Sequence, residues 1–305
     1  MTLLYSLRAS IRRTIHTGSA AVLLASTMPV LHPDMANAQP GTTYSFSQST
    51  GTYSQITGGT VLVSGTNWNN QLFTVSLPAP FWFDGVWYST MYVTANGFIT
   101  FGSTMAGNNY TPLSGNAGYA GAISPLGANL QDANVASSAI RWQQVGNEVV
   151  VQWREAQRKI GGNGESFSFQ ARLNTSNGVI KFVYSAVTSL DNSTQKQPEV
   201  GLRGASNSFP AQVKNRSVGN GTETWSTSLN GTANNSVMRF TGANPSKAPV
   251  SGLTYTFTPP CVTANSSVTS PIACNGGNGA ITVTGTSSAT PYVGTGVFTR
   301  AAGTY

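Results

Sequence analysis

The chain has 305 residues, room for one large domain or two ordinary ones. Asp, Glu, Lys and Arg make up only 8% of it, against about 25% in an ordinary soluble domain, and no Lys/Arg run concentrates its formal charge of +7. That pattern lacks the basic stripe of a nucleic-acid binder, while 39% hydrophobic and 10% aromatic residues suffice for a packed core and exclude a disordered chain.

Residues 1–38 read as a secretory signal peptide. Arg8, Arg12 and Arg13 give a positive start, a short apolar stretch lies within Gly18 to Leu31, and Ala36-Asn37-Ala38 matches a small-x-small cleavage site. The stretch is too short, and too interrupted by Ser26, Thr27 and Pro29, to cross about 30 Å of hydrocarbon, and no later segment is apolar enough to be a membrane helix. Cleavage after Ala38 removes both histidines, His16 and His32, together with three of the 16 bases and Asp34, and lowers the formal charge from +7 to +5. A chain exported this way is secreted or displayed on the cell surface.

Strand signals dominate from residue 39 to 258, and no amphipathic helix is evident. Thr43 to Ser49, Val61 to Ser64 and Gln71 to Leu77 are short β-type runs broken by Gly, Asn and Pro. Phe81–Phe83 and Val86–Tyr88 flank Asp84-Gly85, which predicts a tight hairpin. Asn96-Gly97, Gly146-Asn147 and Asn177-Gly178 punctuate three more hairpins. Val149, Val151 and Trp153 share one face, as do Phe167, Phe169, Ala171 and Leu173, with polar residues between them. Alternation of this kind describes antiparallel strands with one buried face. Further strands are expected at Glu199 to Arg203, Val237 to Thr241 and Leu253 to Thr258. Residues 104–138 and 204–235 read as long polar loops. The fold class that follows is all-β: an antiparallel two-sheet sandwich.

Thr258-Pro259-Pro260-Cys261 ends that domain, because successive prolines cannot continue a central strand. Residues 259–305 form a linker and the start of a second β unit, with strands near Ala280 to Thr284 and Val293 to Thr299. The chain stops at Gly303-Thr304-Tyr305 without a closing strand, and reads as a fragment of a longer protein.

The sequence carries little that points to catalysis. Without histidine after residue 38 there is no Ser-His-Asp triad, no Cys-His pair and no His-based zinc motif. Gly161-Gly162-Asn163-Gly164 is followed by Glu165 rather than by Lys and Ser or Thr, and reads as a surface turn, not a phosphate loop. No metal or cofactor site is assigned. Paired carboxylates are the remaining enzymatic option, with Glu155 and Glu165 flanking one loop, but nothing in the sequence fixes their geometry. Asp84 is explained by its turn, and Arg154, Arg158 and Lys159 by a solvated basic loop. The aromatic cluster supplies the binding candidates Trp82, Trp87 and Tyr88, whose rings either fill the core or stack on a sugar. Cys261 and Cys274 are the disulfide candidates and are free to close a short loop with each other.

Two resemblances add to this. The blocks Phe81–Tyr88, Tyr92–Phe101, Ala122–Leu126, Val149–Trp153 and Phe169–Leu173 with Val179–Tyr184 resemble a domain of large secreted Bacteroidota proteins and, more distantly, the extracellular nidogen-like domain. Such domains are non-catalytic modules of adhesive and matrix proteins. The family shows an acidic residue soon after the Pro-Leu block; this chain departs from that spacing, with Asp132 six residues beyond Leu126. Ile272–Val283, with Cys274-Asn275-Gly276-Gly277, resembles the opening of the SprB-type repeat of gliding-motility adhesins, and Thr290-Pro291-Tyr292 and Ala302–Tyr305 resemble its later blocks. That resemblance implies an incomplete Ig-like β repeat, Cys274 paired with a cysteine beyond residue 305, and export by the type IX system through a C-terminal domain. The expected function is a non-catalytic surface adhesin on a repeat stalk, contacting a surface ligand such as a glycan or matrix component. The alternative is a carbohydrate-binding module of a larger secreted protein.

Overall fold

The chain is described from a computed structural model covering residues 39–104, 107–159, 164–188, 197–240 and 247–260, with the backbone of three further strands between 262 and 301. After a helical turn, α1 (Pro40–Thr43), come β1 (Ser45–Thr50), β2 (Thr60–Ser64), β3 (Leu72–Phe83), β4 (Val86–Thr94), β5 (Ile99–Phe101), β6 (Gly121–Gly127), β7 (Leu130–Asp132) and β8 (Ala139–Val145). Then follow β9 (Glu148–Arg158), β10 (Phe167–Asn174), β11 (Ile180–Tyr184), β12 (Glu199–Arg203), β13 (Val213–Ser217), a 3-10 turn (Trp225–Thr227), β14 (Leu229–Asn230) and β15 (Leu253–Thr258). One sheet has the order β1-β15-β11-β10-β9-β8-β2, with β7 also paired to β9; the other is β14-β13-β12-β6-β5-β4-β3. Every ladder is antiparallel, and the two sheets form the expected sandwich. β1 pairs with β15 from Ser45↔Thr258 to Thr50↔Leu253, so the first and last strands of the sandwich close on each other. A separate three-stranded antiparallel sheet follows, β16 (Val262–Ser270), β17 (Asn278–Ser287) and β18 (Gly296–Ala301).

The four predicted hairpins form where the turn residues put them. Asp84 (φ 50) and Gly85 (φ 82) both take the left-handed conformation that a two-residue primed turn requires, bringing Trp82 opposite Trp87. At Gly97 (φ 79) a side chain would meet Leu126 O at 2.2 Å, so only glycine fits where this corner presses on β6.

Three expectations are corrected. Residues 104–138 hold two strands, β6 and β7; β6 is buried at every position, so it has no alternation to read. The polar stretch 204–235 likewise holds β13 and β14. Val237 to Thr241 is not a ladder strand over its described residues: Met238 makes one isolated bridge to Val218. β3 runs on through Pro78 and Pro80, which are tolerated because β3 is an edge strand and its register shifts between Ser76 and Phe81.

The core lies between the two inner faces. Trp153, Phe169, Phe182 and Phe257 from one sheet meet Phe81, Met91, Val93, Phe101 and Ile123 from the other. Buried polar groups also cross the interface in satisfied pairs: Trp153 Nε1 donates to Thr94 O (2.8 Å) and Tyr184 Oη to Pro125 O (2.8 Å). Loop 107–120 is clamped on β12, where buried Arg203 donates to Gly115 O (2.8 Å), Ala117 O (2.9 Å) and Tyr119 Oη (2.9 Å), while Glu199 accepts from Leu113 N (2.7 Å) and Ser114 N (3.2 Å).

The link between β1 and β2 positions the candidate site. These strands are at opposite edges of the same sheet, six ladder steps or about 29 Å apart. Ten residues of fully extended chain reach about 33–36 Å. Residues 51–59 therefore form a nearly taut strap across the outer face of the sheet. Two buried amides hold it: Ile56 N donates to Gln152 Oε1 (2.9 Å), and Gln170 Nε2 donates to Ser54 O (2.8 Å) and to Gln152 Oε1 (2.9 Å).

Candidate functional site

The strand partners of β9 change partway along it. Glu148 to Arg154 pair with β8, whereas Ala156 to Arg158 pair with β7. On the other side, the ladder to β10 skips from Trp153↔Phe169 to Ala156↔Phe167, so that Arg154 and Glu155 together oppose Ser168. This is a β-bulge, and Glu155 sits in it with φ 52, a left-handed conformation that normally falls to glycine. Side-chain hydroxyls hold its backbone: Glu155 N donates to Ser168 Oγ (3.0 Å), and Ser138 Oγ donates to Glu155 O (2.7 Å).

Two polar recesses flank the bulge. The first, about 330 Å³, is lined by Asn67, Asn69, Gln131, Asp132, Gln157 and Lys159 among others. Its carboxylate is fully engaged: Asp132 Oδ2 accepts from Asn67 N (2.8 Å) and Trp68 N (3.0 Å), and Oδ1 from Asn134 N (2.9 Å). Asp132, the acid after the Pro-Leu block, thus pins the β2–β3 connection to β7.

The second recess, about 370 Å³, lies between the strap and the bulge. Tyr53 and Gln55 come from the strap, Arg154 and Glu155 from β9, and the hydroxyls of Ser166, Ser168, Ser185 and Thr188 complete the wall. Arg154 Nε approaches Glu155 Oε2 at 3.6 Å, too far for a hydrogen bond, and that buried oxygen has no hydrogen-bond partner. The carbonyl oxygen of Gln55, in the amide orientation that satisfies both its ends, accepts from Arg154 Nε (3.2 Å) and Nη1 (3.1 Å). Burial raises the Tyr53 phenol well above its ordinary value, so it stays a neutral hydroxyl.

The sequence-derived candidates fall elsewhere. Trp82 is only 8% exposed and stacks on Tyr44 at 6.4 Å, so it is a core residue and not an open platform. Trp87 is 49% exposed. Tyr88 is half-buried and stacks on Phe101 at 4.7 Å. Cys261, Cys274 and the signal segment 1–38 lie outside the described residues. Glu155 and Glu165 take different partners, since Glu165 Oε1 is paired with Arg158 Nε at 2.7 Å. Arg154 and Arg158 belong to β9 itself rather than to a basic loop. At the tip of the aromatic hairpin, Asp84 Oδ2 accepts from Ala205 N (3.2 Å), Oδ1 is buried without a partner, and burial pushes the carboxyl up to about 7.

The sequence left the strap recess out because its walls come from four distant segments. One signal was present: the apolar phase of Val149, Val151 and Trp153 breaks at Glu155, and Ala156 is buried instead. Among the described residues no cluster of His, Cys, Asp and Glu is arranged to hold a metal ion, and no helix is long and apolar enough to cross a membrane.

Comparison with curated proteins and with solved structures finds no match. The profile of the NIDO-related family matches residues 43–259, nearly the span that the β1–β15 pairing closes. The chain belongs to the NIDO-related family, a kind of domain typical of extracellular proteins.

Proposed function

We propose that the chain is a non-catalytic surface module that makes adhesive contacts, with the NIDO-related sandwich as its contact domain and residues 259–305 as a linker and the opening of a repeat stalk. The observation that carries this reading is the state of the carboxylates. A glycosidase needs two acids about 5–9.5 Å apart across a cleft, one of them free to give or take a proton. Here Asp132 is spent on three backbone N–H groups, Glu199 on Leu113 and Ser114, Glu165 on Arg158, and Glu148 on Arg172 and Lys181. These four acids act as structural fasteners, while Asp84 and Glu155, which each keep a buried oxygen without a hydrogen-bond partner, stand on different sheets of the sandwich, at the β3–β4 turn and on β9. The likeness of Ile272–Val283 to SprB-type repeats supports the stalk, and with it a cell-surface location in a Bacteroidota-type export system.

The secreted chain, coupled to beads, is expected to be retained on cell-surface or matrix-coated plates and to leave ester, peptide and glycoside substrates unchanged. Beads that pass every surface, or turnover abolished by Glu155→Gln or Glu165→Gln, would overturn the reading.

A further inference from the structure

We propose that the recess between the strap and the β9 bulge binds a neutral polyhydroxylated ligand, a sugar ring of a surface glycan. The proposal rests on the surface-module reading above and names its site and ligand class. The volume of about 370 Å³ falls inside the range of about 300–1,000 Å³ typical of small-molecule sites. Such sites are usually apolar; this one is walled by hydroxyls, an amide and one opposed ion pair. Among the described residues, Arg154 and Glu155 are the charged ones that line it, and their opposite charges disfavour an anion or a cation. A ligand offering many O–H groups and no net charge matches that wall.

The geometry of Glu155 gives the site its direction. Its Oε2 is buried yet accepts no hydrogen bond, an arrangement that leaves it wanting a donor, and a ligand hydroxyl supplies one. Arg154 lines the same recess, and the buried Tyr53 hydroxyl, which has no hydrogen-bond partner either, is a second unanswered group of its wall. The backbone at Glu155 is strained where glycine would be relaxed, and strain of this kind persists at binding sites when the surroundings enforce it. Those surroundings are visible: Ser168 and Ser138 fasten the bulge, and Gln152 and Gln170 fasten the strap. The recess is therefore built before any ligand arrives.

The test is titration of the full secreted chain with methyl glycosides of glucose, galactose, mannose and N-acetylglucosamine, alongside the same sugars as immobilised oligomers. The two arms separate a free sugar from a polymer as the source. Saturable binding is expected in at least one arm. Tyr53→Phe and Glu155→Gly should each weaken it by at least about tenfold. Glu155→Gly should keep or raise Tm, since glycine relaxes the bulge, so lost binding is not lost folding. Binding left unchanged by both substitutions overturns the recess and leaves the module reading standing. Absence of saturable binding to every sugar overturns the ligand class, and retention on surfaces then decides the module reading independently.

Discussion

Asp132 and Glu155 stand almost side by side, since Asp132 pairs with Ala156 across the β7–β9 ladder. Both line polar recesses of similar size. Asp132 has every carboxylate oxygen answered by backbone N–H groups, whereas Glu155 leaves a buried oxygen unanswered on a strained backbone. The same side-chain chemistry thus does two jobs. A saturated carboxylate fixes the chain around it, and an unsaturated one in a preformed cavity awaits a donor from outside. Recess volume alone does not separate them; accounting for each polar atom does.

The largest effect is expected from breaking the saturated member. Asp132→Ala strips the acceptor from three backbone donors, one of them on fully buried Trp68. Charge-assisted bonds of this type and stranded donors together predict a loss of about 3 kcal/mol. Urea unfolding of the secreted chain should show a lower midpoint at an unchanged slope. A loss below about 1 kcal/mol would mean that water replaces the carboxylate and that the contrast with Glu155 is weaker than drawn. Glu155→Gly, one ladder position away, is expected to move stability the opposite way.

A third acid, Asp84, sharpens the comparison through pH. It is half-satisfied, with one oxygen on Ala205 N and the other buried and bare, and Tyr44 and Tyr88 are the titratable groups facing it. Its carboxyl titrates near 3.8 when unfolded and about 7 when folded. The folded state holds the proton more tightly, so its stabilisation is complete below about pH 4 and is lost as the pH rises through about 7. Because the group is partly exposed, solvent screening reduces the effect to the order of 1 kcal/mol. No histidine follows His32, and Glu199, whose carboxyl burial also raises, is another acid that contributes a slope of the same sign. Unfolding curves from pH 5 to 8 should show stability falling with pH in the parent and less steeply in Asp84→Asn; identical slopes would assign the titration elsewhere.

The sequence is most informative where physics is local. Asp84-Gly85 and Gly146-Asn147 specify their hairpins because a two-residue turn demands positive φ, and residues 84, 85 and 146 have it. Alternation placed the inner faces of β9 and β10 for the same reason. It failed where a second layer covers the other face. Trp82 is out of phase with Phe81 and Phe83, yet all three are buried, because Tyr44 stacks over it. Gln152 and Gln170 point outward but are fully buried beneath the strap. Nothing in Thr52–Gly59 states which strands it crosses; that follows only from β1 and β2 lying at opposite edges. The recess it roofs is a product of topology, so its residues carry no shared motif.

The smallest effect is expected at the far end of β9, where Glu148 provides a control for Glu155. Its Oε2 pairs with Arg172 Nε at 2.8 Å and its Oε1 with Lys181 Nζ at 2.9 Å, on the neighbouring strands β10 and β11. Like Asp132 it is satisfied, but by side chains near solvent, with the Lys181 side chain 40% exposed. Such pairs gain little, because water and salt compete for both charges. Glu148→Gln should therefore cost about 0.5 kcal/mol at low salt and less in 1 M salt, while leaving sugar binding at the strap recess unchanged. The two glutamates share a strand and a charge, are both partly buried, and differ in their partners. Should Glu148→Gln weaken binding as much as Glu155→Gly, the ligand would be sensing the general charge of the outer face rather than the recess, and the distinction drawn between answered and unanswered carboxylates would fail at its most direct comparison.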